Sequence, residues 1–160
     1  MTTHHVLDKD ALRSLLATIK DTSWSWQESD VPALAARFGW SKPRIVAGSG
    51  AFVDPGHGLG SKAYRMSFGD AGRVNIITLR ISSKVAEDDA AGQVFLSDVF
   101  ADAAAVAAEI LGPPTARTPG KRPEIRWRGE ESTLILTQLS VAVQLSWASN
   151  EYQDYWDALD

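Results

Sequence analysis

The chain has 160 residues, 44% of them hydrophobic and 22% charged, enough to bury one sizeable core and too apolar for wholesale disorder. It has no Cys, which excludes disulfides, thiolate nucleophiles and thiolate metal sites and suits a reducing compartment. A net charge of -4 argues against nucleic acid as the main partner, because phosphate binding draws on a basic field.

The opening residues, Met1-Thr2-Thr3-His4-His5-Val6-Leu7-Asp8, have neither the basic head nor the apolar run of a secretory signal. No stretch approaches the roughly 18 apolar residues of a membrane span. The expectation is a cytoplasmic protein with no membrane partner. Leu12, Leu15, Leu16 and Ile19 then fall at helical spacing behind Asp8 or Asp10, which predicts an amphipathic helix over about 9–20. After Trp24-Ser25-Trp26, a second helix starts at Asp30-Val31-Pro32, runs to Phe38 and stops at Gly39. Arg44-Ile45-Val46-Ala47 reads as a short strand. Residues 48–61, with five Gly in fourteen positions, read as a long irregular and mobile loop.

Residues 63–68 and 73–81 form a predicted hairpin, with Tyr64, Met66 and Phe68 on one face. The next helix, about 89–111, carries a stripe of Leu96, Val99, Phe100, Ala103, Val106, Ala107 and Ile110 and ends at Gly112-Pro113-Pro114. A polar connector over 115–123 leads to strands at 124–128, 133–139 and 141–147, the last with Val141, Val143, Leu145 and Trp147 alternating. Asn150 is placed to cap a final helix bearing Tyr152, Tyr155, Trp156 and Leu159. The whole, residues 1–160, reads as one α+β domain. It has a single, mostly antiparallel sheet of about five to six strands with helices packed on it. The order helix, Gly/Pro stop, hairpin occurs twice, which raises the prospect of an internal duplication.

The motifs carry little chemistry. Gly60 is followed by Ser61-Lys62, the reverse of the order a P-loop needs, and Gly48-Ser49-Gly50 has no third Gly at position 53. His57 lies near Asp54, Ser49 and Ser61, but this spacing imposes no relay geometry, and an exposed loop histidine is the simpler reading. His4 and His5 are adjacent and point apart, and Glu87-Asp88-Asp89 is better placed to cap a helix than to hold a metal. The sequence therefore predicts no catalytic set, no metal site and no cofactor.

Two features point toward partner binding. Arg117, Lys121, Arg122, Arg126 and Arg128 cluster in an acidic chain, and Arg126 and Arg128 share one strand face opposite Ile125 and Trp127. That face either grips a carboxylate-rich or phosphate-bearing partner or is balanced by Glu124 and Glu130. The terminal segment from Asn150 to Asp160 mixes three aromatics with four acids. It suits contact with a basic protein or docking against the sheet. Arg126, Arg128, Tyr155 and Trp156 are accordingly the candidate partner-binding residues. Six Trp in one small chain strengthen the case for some aromatic contact surface, although most such rings belong in a core.

Trp24-Ser25-Trp26, Asp30 to Ala35 with Phe38-Gly39-Trp40, Phe95 to Phe100, Leu111 to Thr115 and Ile125 to Gly129 together resemble an actinobacterial family of uncharacterised proteins of about this length. The resemblance spans nearly the whole chain, rests on caps, stops and strand faces, and brings no catalytic residue with it. In size and style the chain is also similar to the immunity proteins that accompany secreted bacterial toxins. What that likeness implies is a non-enzymatic protein that neutralises a cognate toxin by stoichiometric binding. The alternatives are a small hydrolase using the 48–61 loop and a chaperone-like escort of a secreted protein.

Overall fold

The computed structural model describes residues 4–41 and 43–159, so Asp160, the last acid of the terminal segment, lies outside them. Two long helices dominate one side. Helix α1 (Lys9–Asp21) starts where the Asp8 side chain accepts the Asp10 N–H, and it buries Leu12, Leu15, Leu16 and Ile19. Helix α3 (Ala90–Leu111) starts where Asp89 accepts the Gly92 N–H, and it buries Leu96, Val99, Ala103, Val106 and Ala107. The two pack against each other. Between them in sequence, α2 (Val31–Phe38) follows a 3-10 turn and ends at Gly39, whose φ of 72° is the left-handed cap that glycine adopts without a Cβ clash.

The strands are β1 (Arg44–Val46), β2 (Gly50–Val53), β3 (Tyr64–Phe68), β4 (Val74–Arg80), β5 (Ala116–Thr118), β6 (Glu124–Arg128), β7 (Ser132–Gln138) and β8 (Val143–Ser149). All pairings are antiparallel, and the sheet order is β1-β2-β3-β4-β8-β7-β6-β5. The fold is thus α+β with one antiparallel sheet, but of eight strands, not the expected five to six. The additions come from two places. Strand β2 lies inside the stretch read as an irregular loop, where glycines on both sides obscure the alternation of buried Ala51 and Val53 with half-buried Phe52. A Cβ at Gly50 would run into the Met66 carbonyl, so the glycine there permits close strand approach. Strand β5 is a three-residue exposed edge inside the polar connector.

Two boundaries also move. The last strand covers 143–149 instead of 141–147, and the final helix, α4 (Asn150–Asp157), is capped by the Ser149 hydroxyl, not by Asn150. Asn150 instead pins the helix to the β6–β7 turn. Its amide donates to the Gly129 and Glu130 carbonyls at 2.9 and 3.1 Å, and its Oδ1 accepts from Thr133 Oγ1 at 2.7 Å.

Register divides the sheet into two faces. Val53, Tyr64, Met66, Ile77, Leu79, Leu145, Trp147, Leu136, Leu134, Ile125 and Trp127 share the face beneath α1 and α3, and all are buried in one continuous core. A chain of rings crosses that core. Tyr64 meets Trp40, Trp40 stacks on Phe38, and Phe38, Trp26 and Trp24 all lie against Trp147. Five of the six Trp are therefore core or core-packed, leaving Trp156. Helix α4 packs on the opposite face, against β7 and β8.

Candidate functional site

Arg126 and Arg128 do project together, on the sheet face opposite Ile125 and Trp127, and α4 lies over them. Arg128 makes a two-pronged pair with Asp154, at 2.8 and 3.1 Å. Arg126 reaches Asp157 at 2.9 Å and its own strand neighbour Glu124 at 3.0 Å. Arg73, just before β4, holds Glu151 at 2.6 Å. Buried Gln153 donates to Asp157 at 3.0 Å. The terminal helix therefore docks on the sheet through its acids, because the arginines beneath it supply fixed, forked donors.

Its aromatics are left outside. Tyr155 is 63% exposed, Trp156 50% and Leu159 60%, and the Trp156 ring meets both Tyr152 and Tyr155 edge-on at 6.1 Å. Of the four candidate residues, two arginines lie under α4 with their charges matched internally, and two aromatics stand on its outer surface. Sequence spacing does not reveal this pairing of strand β6 with a helix more than twenty residues later.

Hydrogen bonds from Arg128 hold the Asp154 carboxyl below its ordinary value of 3.8, and those from Arg126 do the same for Asp157. A carboxyl depressed in the folded state contributes stability above its unfolded value and loses it as pH falls through the folded one. Helix α4 should therefore loosen below about pH 4 while the core remains folded. Hydrogen exchange of the 150–157 amides reads this directly. Asp154→Asn with Asp157→Asn should show faster exchange already at neutral pH and only a smaller acid step, from the remaining Arg73–Glu151 pair.

The stretch that carried the enzyme alternative is differently built. Asp54 Oδ1 accepts the Gly56 N–H at 2.8 Å, and His57 is exposed with φ of 61°. Among the described residues no hydrogen bond joins His57 to Ser49 or Ser61. His57 borders a hollow of about 240 Å³ walled by Leu7, Leu15, Phe38, Trp40 and Tyr64, and burial pushes the Tyr64 phenol up from its ordinary range. A larger cleft, about 490 Å³, opens where α1 and α3 end beside the β6–β7 turn. Its floor is Ile19, Leu111, Trp127 and Leu134, and its rim includes Lys20, Glu130 and Glu131. Ser23 donates to Glu131 there at 2.6 Å, and the Trp127 indole donates to the Gly112 carbonyl at 3.0 Å. No group of three or more metal-ligating side chains forms among the described residues.

A family model described as a family of unknown function, DUF6301, matches residues 10–149, most of the chain. The chain belongs to that family. The DUF6301 match ends at Ser149, so it takes in all eight strands and, but for Lys9, both long helices, and stops short of α4. Comparison with curated proteins gave no match. Among solved structures, a DUF4309 family protein (YjgB) from Bacillus subtilis is similar, at 14% identity and a TM-score of 0.47, covering 89% of this chain and 97% of that one. No helix among the described residues is long and apolar enough to cross a membrane.

Sequence reading missed the rest of the arginine-bearing face. Along one register row, Arg44, Phe52, Arg65, Thr78, Ser146, Ile135, Arg126 and Ala116 lie side by side across the eight strands. Arg126 has its carboxylates. Arg44 and Arg65 are exposed and have none among the described residues. The signal was present as the alternation Tyr64-Arg65-Met66-Ser67 but needed β2 to be recognised as a neighbouring strand.

Proposed function

We propose that this DUF6301 member is a non-enzymatic binding protein that neutralises a partner protein by stoichiometric contact, in the manner of a bacterial immunity protein. The observation that carries the reading is α4. Two large aromatic side chains, Tyr155 and Trp156, are displayed to solvent on a helix fixed from below by Arg73, Arg126 and Arg128, and exposed Leu159 follows just beyond its end. Rigid exposed aromatics ringed by charge are the usual composition of binding hot spots, because they bury much area at little entropic cost. Arg126 and Arg128 serve here as positioning residues for the helix, and Tyr155 and Trp156 as the contact residues. The partner in this reading is a secreted toxin domain met in the cytoplasm.

We further propose an internal duplication, which the strand order supports. A helix precedes each four-strand meander, α2 before β1–β4 and the longer α3 before β5–β8, and the two meanders meet at β4 and β8 in a palindromic order. Two such halves sharing one sheet give a broad open face, a form suited to covering another protein.

Affinity capture with the tagged full chain in its source cell, followed by native mass spectrometry of the recovered complex, tests the proposal. The expected result is one protein partner at fixed stoichiometry, lost when Tyr155 and Trp156 are both replaced by Ala. Recovery of no partner, together with turnover of a small substrate by the purified chain, would overturn it.

A further inference from the structure

The face under α4 is only half covered. Its β6–β7 side carries Arg126 and Arg128, and an acidic helix lies on them. The β1–β4 side carries Arg44, Arg65 and Arg80 with Lys62 beside them; the Leu59–Lys62 segment reaches Arg80 and Phe52, and Arg44 and Arg65 are exposed. Arg44 and Arg65 stand directly opposite Phe52 in register, one on each side, and Lys62 Nζ sits 5.3 Å above the Phe52 ring. Arg80, one diagonal step from Arg65, donates to the Leu59 and Ser82 carbonyls, each at 2.7 Å, so its guanidinium is fixed in place while its charge stays uncancelled. Burial lowers its pKa and the nearby Arg65 charge adds to that effect, as expected of two like charges facing each other across β3 and β4. None of these four cations has a carboxylate within ion-pair reach among the described residues, although the protein as a whole is acidic.

The wall of this open half is α4 itself. With about 3.6 residues per turn, Asp154 and Asp157 occupy the flank over β6, and Tyr152 and Trp156 fall on the opposite flank of the helix. Between α4 and Arg65 the same register row runs through buried Ser146 and half-buried Thr78, neither of them charged.

We propose that the open half of this face seats a carboxylate-rich segment of the partner protein, held by Arg65 and Arg44 on either side of Phe52. The inference rests on the binding reading above and names the chemistry of the partner. The molecule supplies its own precedent: on the same face, arginines of the other half take the acidic segment Glu151 to Asp157. Unmatched, forked donors on a rigid sheet favour carboxylates, and the protein's net negative charge disfavours a long polyphosphate backbone.

The test uses the full chain and fluorescence anisotropy of a fluorescein-labelled, Glu-rich amphipathic peptide. A Lys-rich peptide of equal length and a single-stranded DNA oligonucleotide serve as comparison probes. The Glu-rich peptide should bind and weaken with added salt, and the Lys-rich peptide should not bind. Arg44→Glu with Arg65→Glu should reduce affinity at least about tenfold, with melting unchanged because both residues are exposed. Lys121→Glu with Arg122→Glu makes the same charge change on exposed residues elsewhere and should leave binding within about twofold. Equal losses in the two variants would mean net charge alone is read, and would overturn the proposal. So would DNA binding as tightly as the peptide, or a self-associated chain that dissociates in the Arg44→Glu, Arg65→Glu variant. Capture of a protein partner that depends on Trp156 but not on Arg65 would remove this seat and leave the binding function standing. Peptide binding at Arg65 with no captured partner would do the reverse.

Discussion

Replacing Trp147 with Ala should lower folding stability by about 3–5 kcal/mol, as much as the loss of any one side chain from this core should cost. Trp147 is 1% exposed on β8, which lies between β4 and β7 near the middle of the sheet. Its ring lies 5.3 Å from Trp26 and 5.6 Å from Phe38, and its indole N–H donates to Ser132 Oγ at 2.9 Å. Truncation leaves a cavity among rings that cannot collapse onto one another, because each is tied to a different segment. It also removes the Ser132 partner. Trp147→Phe keeps most of the area but loses the donor and the atoms of the five-membered ring, so it should cost less, about 1–3 kcal/mol. Urea unfolding followed by far-UV circular dichroism checks both values, and the two variants should rank in that order.

Tyr155→Ala with Trp156→Ala should behave oppositely. Both side chains are at least half exposed and lie outside the core, so the melt should stay within about 0.5 kcal/mol of the parent. Binding to the captured partner should weaken by about 2 kcal/mol or more for each anchor, or roughly thirtyfold apiece. The contrast between two Trp positions in one chain is the point of the pair. Trp147 is large, enclosed and hydrogen-bonded, so its loss is felt in stability. Trp156 is large, rigid and open, so its loss should appear in affinity.

The helices were legible in the sequence because their caps and periodicities are local. Asp8, Asp89 and Gly39 act where their chemistry predicts, and the stripes on 9–21 and 90–111 bury as patterned. The central hairpins were legible for the same reason, since Tyr64/Met66 and Leu145/Trp147 alternate cleanly. The edges were not. Strand β2 is four residues amid glycines and β5 is three exposed residues, and each is defined by its neighbour's hydrogen bonds more than by its own side chains.

The site divides along the same line. Arg126 and Arg128 were visible as a shared strand face and Tyr155 and Trp156 as an acidic-aromatic segment. That the acids of one would sit on the arginines of the other depends on β8 turning back at Ser149. The basic half-face of Arg44, Arg65 and Arg80 was invisible for a stronger reason. Its members lie on three strands separated by up to thirty-six positions, and only the sheet register brings them together.

In the proposed function the chain acts by binding a protein through α4 and the face beside it. Isothermal titration of the purified chain with the captured partner tests it most directly. The account predicts a one-to-one complex whose affinity falls roughly thirtyfold with Trp156→Ala, while the variant's melting curve overlays the parent's. An unchanged affinity in a folded Trp156→Ala variant would contradict it.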